Sequence, residues 1–353
     1  MIKKHLAILS LAFVAFIGSA QDLVCMTDCN AGAAFSAQNI NRLRSLGVEP
    51  PWEIIDFRWH KTEPILFMLS NWRSADIAGT SGTDLEIWKY GDRGYIGRDF
   101  LLRRPFTQLE VTADTVVGGT DSGRLLFWDI KRSELDHEYA ISDGAVSELL
   151  LHPSGQWLLV AIDDRRLYRF DLESHLAAEI HLQGADNLVL DALAFSTAGH
   201  LLANAGKDVI RIWDTGSWEV WEPQYLPSRA GKRVLFTDDD SHLMVVADAV
   251  VSRWSLANNR LTFVRELDAH PSKRPCPIAD GDISPDGTLL MTIDACNQSR
   301  AWDLAADAEI YVPQLDFSED NFPGTDVAFS PDGRFLAEVT ESYWVLAIVW
   351  GPG

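Results

Sequence analysis

Residues 201–214 read Leu-Leu-Ala-Asn-Ala-Gly-Lys-Asp-Val-Ile-Arg-Ile-Trp-Asp. The apolar run 201–205 has strand length, 206–208 is turn chemistry, and 209–213 returns as a β-branched run closed by Trp213; the whole is a hairpin signal. Working outward, 188–195 is another apolar run, joined to the hairpin by 196–200 with Gly199 as its turn glycine. Downstream, 218–225 reads as one more strand. The unit is therefore four short strands in succession. The same grammar recurs at 146–171, 282–303 and 325–350, with inner turns His152-Pro153-Ser154-Gly155, Ser284-Pro285-Asp286-Gly287 and Ser330-Pro331-Asp332-Gly333.

The Trp that closes the third strand has counterparts along the chain: Trp88, Trp128, Phe170, Trp213, Trp254, Trp302 and Trp350. Their spacings are 40, 42, 43, 41, 48 and 48 residues. A period of roughly 40–45 residues is that of a four-stranded propeller blade. Seven copies predict an all-β fold, a seven-bladed β-propeller of four-stranded antiparallel blades. Because 350 lies at the end of the 353-residue chain, blade seven lacks an outer strand of its own. The segment 52–59, Trp-Glu-Ile-Ile-Asp-Phe-Arg-Trp, stands before the first inner strand at 65–69 and is expected to supply that edge and close the ring. Upstream, 33–46 reads as a short helix, with Phe35, Leu43 and Leu46 on one side and Gly47 as its stop signal.

With these repeats in view, the chain resembles the WD-repeat family of β-propellers over about residues 52–350. The Trp-Asp dipeptide stands at Trp128-Asp129, Trp213-Asp214 and Trp302-Asp303, and is altered at Phe170-Asp171, Trp88-Lys89, Trp254-Ser255 and Trp350-Gly351. Of the family's Gly-His dipeptide only the His survives, in Ala269-His270 and Trp59-His60. The resemblance implies blade-rigidifying hydrogen-bond networks, parts of which are Thr120, Asp121 and Trp128 in one blade and His270, Thr292 and Trp302 in another.

At the N-terminus, Lys3 and Lys4 precede an apolar run from 6 to 17 and Gly18-Ser19-Ala20. This reads as a signal peptide, residues 1–20, and predicts an exported, periplasmic or secreted protein; the run is too short to span a bilayer. Residues 21–51 are then a leader and 52–350 the propeller. Removing 1–20 takes away two lysines and no acid, so the formal charge of −21 becomes −23. Such a charge repels nucleic acid and anionic lipid and favours a basic protein partner.

Four cysteines in an exported chain read as disulfides. A three-residue Pro-Asp-Gly loop would pair Ser284 with Thr288, and the same register sets Cys276 opposite Cys296 at a distance a disulfide can close. Cys25 and Cys29 are left to pair locally.

Glu148, Asp280 and Asp326 each stand four residues before the inner-turn residue of their repeat. Inner strands line the channel, so these three acids are weak candidates for a cation site; a hydrated channel mouth is the plainer reading. Asp238-Asp239-Asp240 falls where the fifth repeat needs its inner turn. Asp316, Glu319 and Asp320 lie in a long connection. No His-Glu-x-x-His, Gly-x-Ser-x-Gly or phosphate-binding glycine loop is present, and no cofactor is expected. Among the 13 Trp, Trp72, Trp218 and Trp221 fall outside the expected interblade positions and are candidates for contact with a partner.

The expectation is a non-enzymatic protein-binding or scaffolding module. Its recognition loops would be the long connections at 268–277 and 316–325. The rival is a propeller enzyme or small-ligand and metal binder using the channel carboxylates.

Overall fold

The computed structural model describes residues 43–45 and 54–349, except residues 64, 74–80, 92–93, 164, 185–189, 191, 207–208, 227–230, 248–249, 268–275, 313–323 and 341–343. Seven four-stranded antiparallel sheets follow one another along the chain. Their first, innermost strands are Ile54–Trp59, Phe106–Val111, Val146–Leu151, Leu193–Phe195, Gly231–Phe236, Ile278–Ile283 and Gly324–Phe329. In six blades the next three strands follow as a meander. Turns between first and second and between third and fourth strands share one face, here the lower; the remaining turns and the interblade connections form the upper face.

The seventh blade is completed from the other end of the chain. Leu43–Ser45 pairs antiparallel with the third strand Trp344–Val349, Leu43 opposite Val349 and Ser45 opposite Ala347. The ring is thus tied by its own N-terminal segment, but the strand differs from the expected 52–59. Residues 54–59 are instead the first strand of blade one, paired with Ile65–Arg73. The displacement has a simple cause: Asp56, Phe57 and Trp59 carry the burial pattern of an innermost strand, so the tie falls to the preceding segment. It also takes the last turn from the expected helix, since 43–45 is extended; residues 33–42 and 46 lie outside the described ones. The division at 1–20 and 21–51 lies outside them too, apart from 43–45.

The second strands explain the hydrophobic content. Trp157–Ile162 and Leu289–Asp294 are buried at every position, as befits a strand packed on both faces. Between blades the side chains form successive apolar clusters. Phe67, Leu69, Phe106 and Leu109 join blades one and two, Phe127, Val146, Leu158 and Phe170 blades two and three, and Trp157, Leu193, Leu202 and Trp213 blades three and four. Clusters around Trp254, Trp302 and Leu336 continue the series. Blade seven meets blade one where Trp59 stacks on Phe335 at 6.2 Å and donates from Nε1 to the Ala328 carbonyl at 3.2 Å.

Trp88, Trp128, Phe170, Trp213, Trp254 and Trp302 occupy one register position, opposite the second residue of the second strand. In blade seven that place belongs to Ala347, opposite Leu336; Trp350 lies three residues beyond, outside the described residues. The marker was therefore misassigned in the last repeat. The network expected of Thr120, Asp121 and Trp128 is not formed. Thr120 Oγ1 accepts the Arg124 N–H at 3.1 Å, and Trp128 Nε1, like Trp302 Nε1, has no partner among the described residues. Packing carries these blades.

The inner turns hold four residues, one more than the sequence suggested. Ser284 N–H bonds the Leu289 carbonyl at 2.9 Å, and the Leu289 N–H donates back to Ser284 Oγ at 3.0 Å. Ser330, Ser196 and Thr237 do the same in their blades. Gly287 closes its turn at φ 69°, a conformation that costs glycine little. The longer turn shifts the register by one, and a bulge between Ile278 and Asp280 shifts it back, so that Ile278 faces Asp294. Cys276 and Cys296 consequently do meet: they form a disulfide with Cα atoms 5.7 Å apart and a sequence separation of 20. Cys25 and Cys29 lie outside the described residues. Replacing both Cys276 and Cys296 by Ser is expected to cost about 3 kcal/mol of stability. Denaturant titration with and without reductant checks it: reductant should shift only the parent protein.

Candidate functional site

A β-bulge near the start of the first strand recurs in six of the blades, between Ile54 and Asp56, Phe106 and Gln108, Val146 and Glu148, Gly231 and Arg233, Ile278 and Asp280, and Gly324 and Asp326. A bulge re-aims the residue that follows it, here Asp56, Gln108, Glu148, Arg233, Asp280 and Asp326. Two residues further on, on the same strand face, stand Arg58, Glu110, Leu150, Leu235, Asp282 and Ala328. The two layers converge on the ring axis. Arg58 of blade one reaches within 3.9 Å of Glu148 of blade three, and Arg233 of blade five lies 3.5 Å from Asp280 of blade six.

The three acids singled out from sequence thus share one ring position, joined there by Asp56 and interrupted by Arg233. Both additions obey the rule that found the others, four residues before the turn residue: Asp56 before His60 and Arg233 before Thr237. Asp56 is hidden in sequence because 52–59 reads as a closing strand, and Arg233 because it is a cation at a position otherwise marked by acids.

Most of these carboxylates hold the ring together. Asp56 accepts the N–H of Leu109 in the next blade at 2.8 Å, and Asp280 that of Val327 at 3.2 Å. One layer on, Glu110 accepts the Leu151 N–H at 3.0 Å and Asp282 the Phe329 N–H at 2.8 Å. In each case an acid bonds the inner strand of the following blade, one register position ahead. A bulged strand leaves backbone donors without a sheet partner, and buried donors must be satisfied. Arg58 contacts Asp56 and its own neighbour's carbonyl, Phe57 O, at 2.8 Å; Lys61 lies 3.0 Å from Glu110.

Burial dominates the electrostatics. It pushes Asp56 up to about 6 against the pull of Arg58 and the Leu109 bond, Asp282 to about 6, and Asp280 to about 7 against Arg233. Glu148 is raised to about 7 by the same desolvation. Glu110 is more deeply buried than Glu148, yet Lys61, Arg58 and two backbone N–H groups hold it below the usual carboxylate range. Arg58 and Arg233 are held still more firmly protonated by the acids around them. Among the described residues, no group of three or more His, Cys, Asp and Glu side chains is arranged to hold a metal ion.

Asp238–Asp240 is the inner turn of blade five. Asp239 accepts the Thr237 and Ser241 hydroxyls at 2.8 and 2.7 Å, and Asp240 reaches the preceding blade, accepting the N–H groups of Thr197 and Ala198 at 2.6 and 2.9 Å. Trp218 packs edge-on to Trp157, with centroids 6.4 Å apart. Trp221 is half-buried against the cluster between blades four and five. The Trp72 side chain, the connections 268–275 and 316–323, and His270 lie outside the described residues.

No protein-family model matches this chain, and no curated protein does. Solved structures match its fold. The Cps50 (Swd1) beta-propeller domain of Myceliophteria thermophila superposes with a TM-score of 0.69 at 12% identity, over 88% of this chain and 100% of that one. A chain of the mitotic checkpoint complex superposes with a TM-score of 0.66 at 16% identity, over 98% of this chain and 100% of that one. The second likeness corrects the expected destination. The periplasmic or secreted reading of 1–20 is withdrawn: those residues lie outside the described ones, and the chain whose fold matches over 98% of this one belongs to a mitotic checkpoint complex. No helix among the described residues is long and apolar enough to cross a membrane. The chain has the fold of a β-propeller, similar to those of the two structures.

Proposed function

We propose that the protein is a non-catalytic binding platform, a rigid ring that offers its loop-built faces to a protein partner. One observation carries this reading: four of the channel acids are engaged by the ring itself. Asp56, Glu110, Asp280 and Asp282 each bond the next blade's backbone, and Arg58 and Arg233 stand among them. A propeller enzyme would need convergent, uncommitted groups there. The formal charge of −21 favours a basic surface on the partner. The likeness to a chain of a multiprotein complex supports the same reading. Within it, the long connections at 268–277 and 316–325 and Trp72 are further contact candidates on the strength of the sequence.

Affinity capture of the full chain from its own cells, with and without chelator, tests the proposal. The expected result is a stoichiometric protein partner whose recovery the chelator leaves unchanged. A retained metal or small molecule with no protein partner would overturn it.

A further inference from the structure

The lower face carries an open trough of about 800 Å³ between blades four and five. Its base is set by the turn-to-turn clamp described above, in which Asp240 holds the N–H groups of Thr197 and Ala198. That clamp makes the trough pre-formed, which lowers the ordering cost of binding. Its floor is apolar, with Trp221 and Leu256 packed on the interblade cluster.

The outer strand of blade four is reduced to Gln224–Tyr225. The segment before it is held to the third strand by the isolated bridge of Val220 to Trp213, whose two bonds run from Trp221 N–H to the Ile212 carbonyl at 2.8 Å and from Asp214 N–H to the Glu219 carbonyl at 3.0 Å. This irregular course leaves Trp221 lining the trough instead of being covered by a regular edge.

Across from it, Asn258 and Asn259 form the two-residue hairpin of blade five, at φ 54° and 56°. Their amides offer both donors and acceptors to an extended backbone. The charged lining is one-sided: Asp214, Glu219 and Asp240, with His200 as the only basic type and no Lys or Arg. Asp214 is fixed by the N–H groups of Gly216 and Ser217 at 3.0 and 2.8 Å, and Glu219 is exposed.

We propose that this trough docks a basic segment of the protein partner, with Arg or Lys side chains lying along Trp221 beside Glu219 and Asp214. Aromatic floor, anionic wall and amide rim match the aliphatic stem, charged head and backbone of such a segment. The inference rests on the binding-platform reading and names the partner's chemistry and one place where it sits.

The test uses a fluorescein-labelled octapeptide of alternating Arg and Leu, and a twin with Glu for Arg. The full chain is expected to bind the basic peptide saturably at one site and the acidic twin not at all. Glu219→Lys and Trp221→Ala should each weaken binding about tenfold, the scale of a lost hot-spot contact. Glu173→Lys, on the corresponding turn of blade three, should leave it unchanged. Because Glu219 is exposed, Glu219→Lys carries the test even if Trp221→Ala fails to fold, and thermal melting shows which has happened. Equal loss from Glu173→Lys, or no loss from Glu219→Lys, overturns the proposal. So does a protein partner captured equally by the parent and by Glu219→Lys, though the platform reading then stands. Specific peptide binding with no partner captured overturns the platform reading, and with it the assignment of the bound segment to a partner protein.

Discussion

The protein is expected to melt at a higher temperature near pH 5 to 6 than at pH 8. Five carboxyls set this direction, Asp280 and Glu338 buried and Asp56, Glu148 and Asp282 half-buried around the channel. Glu338 is 1% exposed and raised to about 7 by burial, with the Ser299 hydroxyl as its partial relief. Glu148 and Asp280 are raised to about 7, Asp56 and Asp282 to about 6. In the unfolded chain the same groups titrate near 3.8 for Asp and 4.5 for Glu.

Between those values and 6 to 7 the folded state binds more protons than the unfolded one. Stability therefore falls as pH rises through the window. For Glu338, moving from 4.5 to about 7 corresponds to about 3 kcal/mol, and the channel acids act in the same sense. A second set works against further acidification. Asp239 is held down at about 2 by the Ser241 and Thr237 bonds, and Asp214 and Asp332 lie below their usual range. Their contribution is lost only as pH falls below about 4, so the optimum lies between the two windows. Melting curves from pH 8 to pH 4 check the profile. Glu338→Gln should raise stability by up to about 3 kcal/mol at pH 8 and by little at pH 5. A melting temperature that rises steadily from pH 5 to 8 would show these acids to be solvated.

Trp213→Ala is expected to cost about 3–5 kcal/mol, at the upper end for a truncated core aromatic. Trp213 is fully buried and fills the seam between blades three and four against Trp157, Leu193 and Leu202. Its Nε1 donates to the Gln183 carbonyl at 3.0 Å, so truncation also strands an acceptor. Trp218→Ala makes the useful contrast: that ring packs at the edge of the same seam and is only half-buried, and its loss should cost about 1–2 kcal/mol. Urea midpoints of the two variants test the ranking. Equal midpoints would mean that the seam relaxes around the missing indole.

Much of the fold was legible because a blade announces itself locally. Strand length, turn glycines and the Trp closing each third strand are short-range properties, and sevenfold recurrence makes weak signals add. Where local signals ran out, the reading slipped by small steps. Trp350 imitates the repeat marker that Ala347 occupies in register. Residues 52–59 imitate a closing strand, although only three residues at 43–45 perform that role. The cysteine pair was placed correctly through two compensating shifts, a longer turn and a bulge, neither visible in sequence.

The candidate sites divide in the same way. That Glu148, Asp280 and Asp326 share a place in their strands follows from sequence, since inner strands alternate with period two and end at recognisable turns. Whether those acids await a ligand or brace the ring depends on what faces them across the axis. Arg58 and Glu148 stand ninety residues apart in the chain yet within 3.9 Å in space. The trough beside Trp221 likewise exists only where two blades meet. The amino-acid sequence by itself determined the repeated four-stranded unit, the number of blades and the acidic charge. Tertiary structure alone decided which strand closes the ring, which charges neutralise one another and where a concave surface remains, because each is a contact between segments far apart in the chain, and such contacts leave no periodic trace along it.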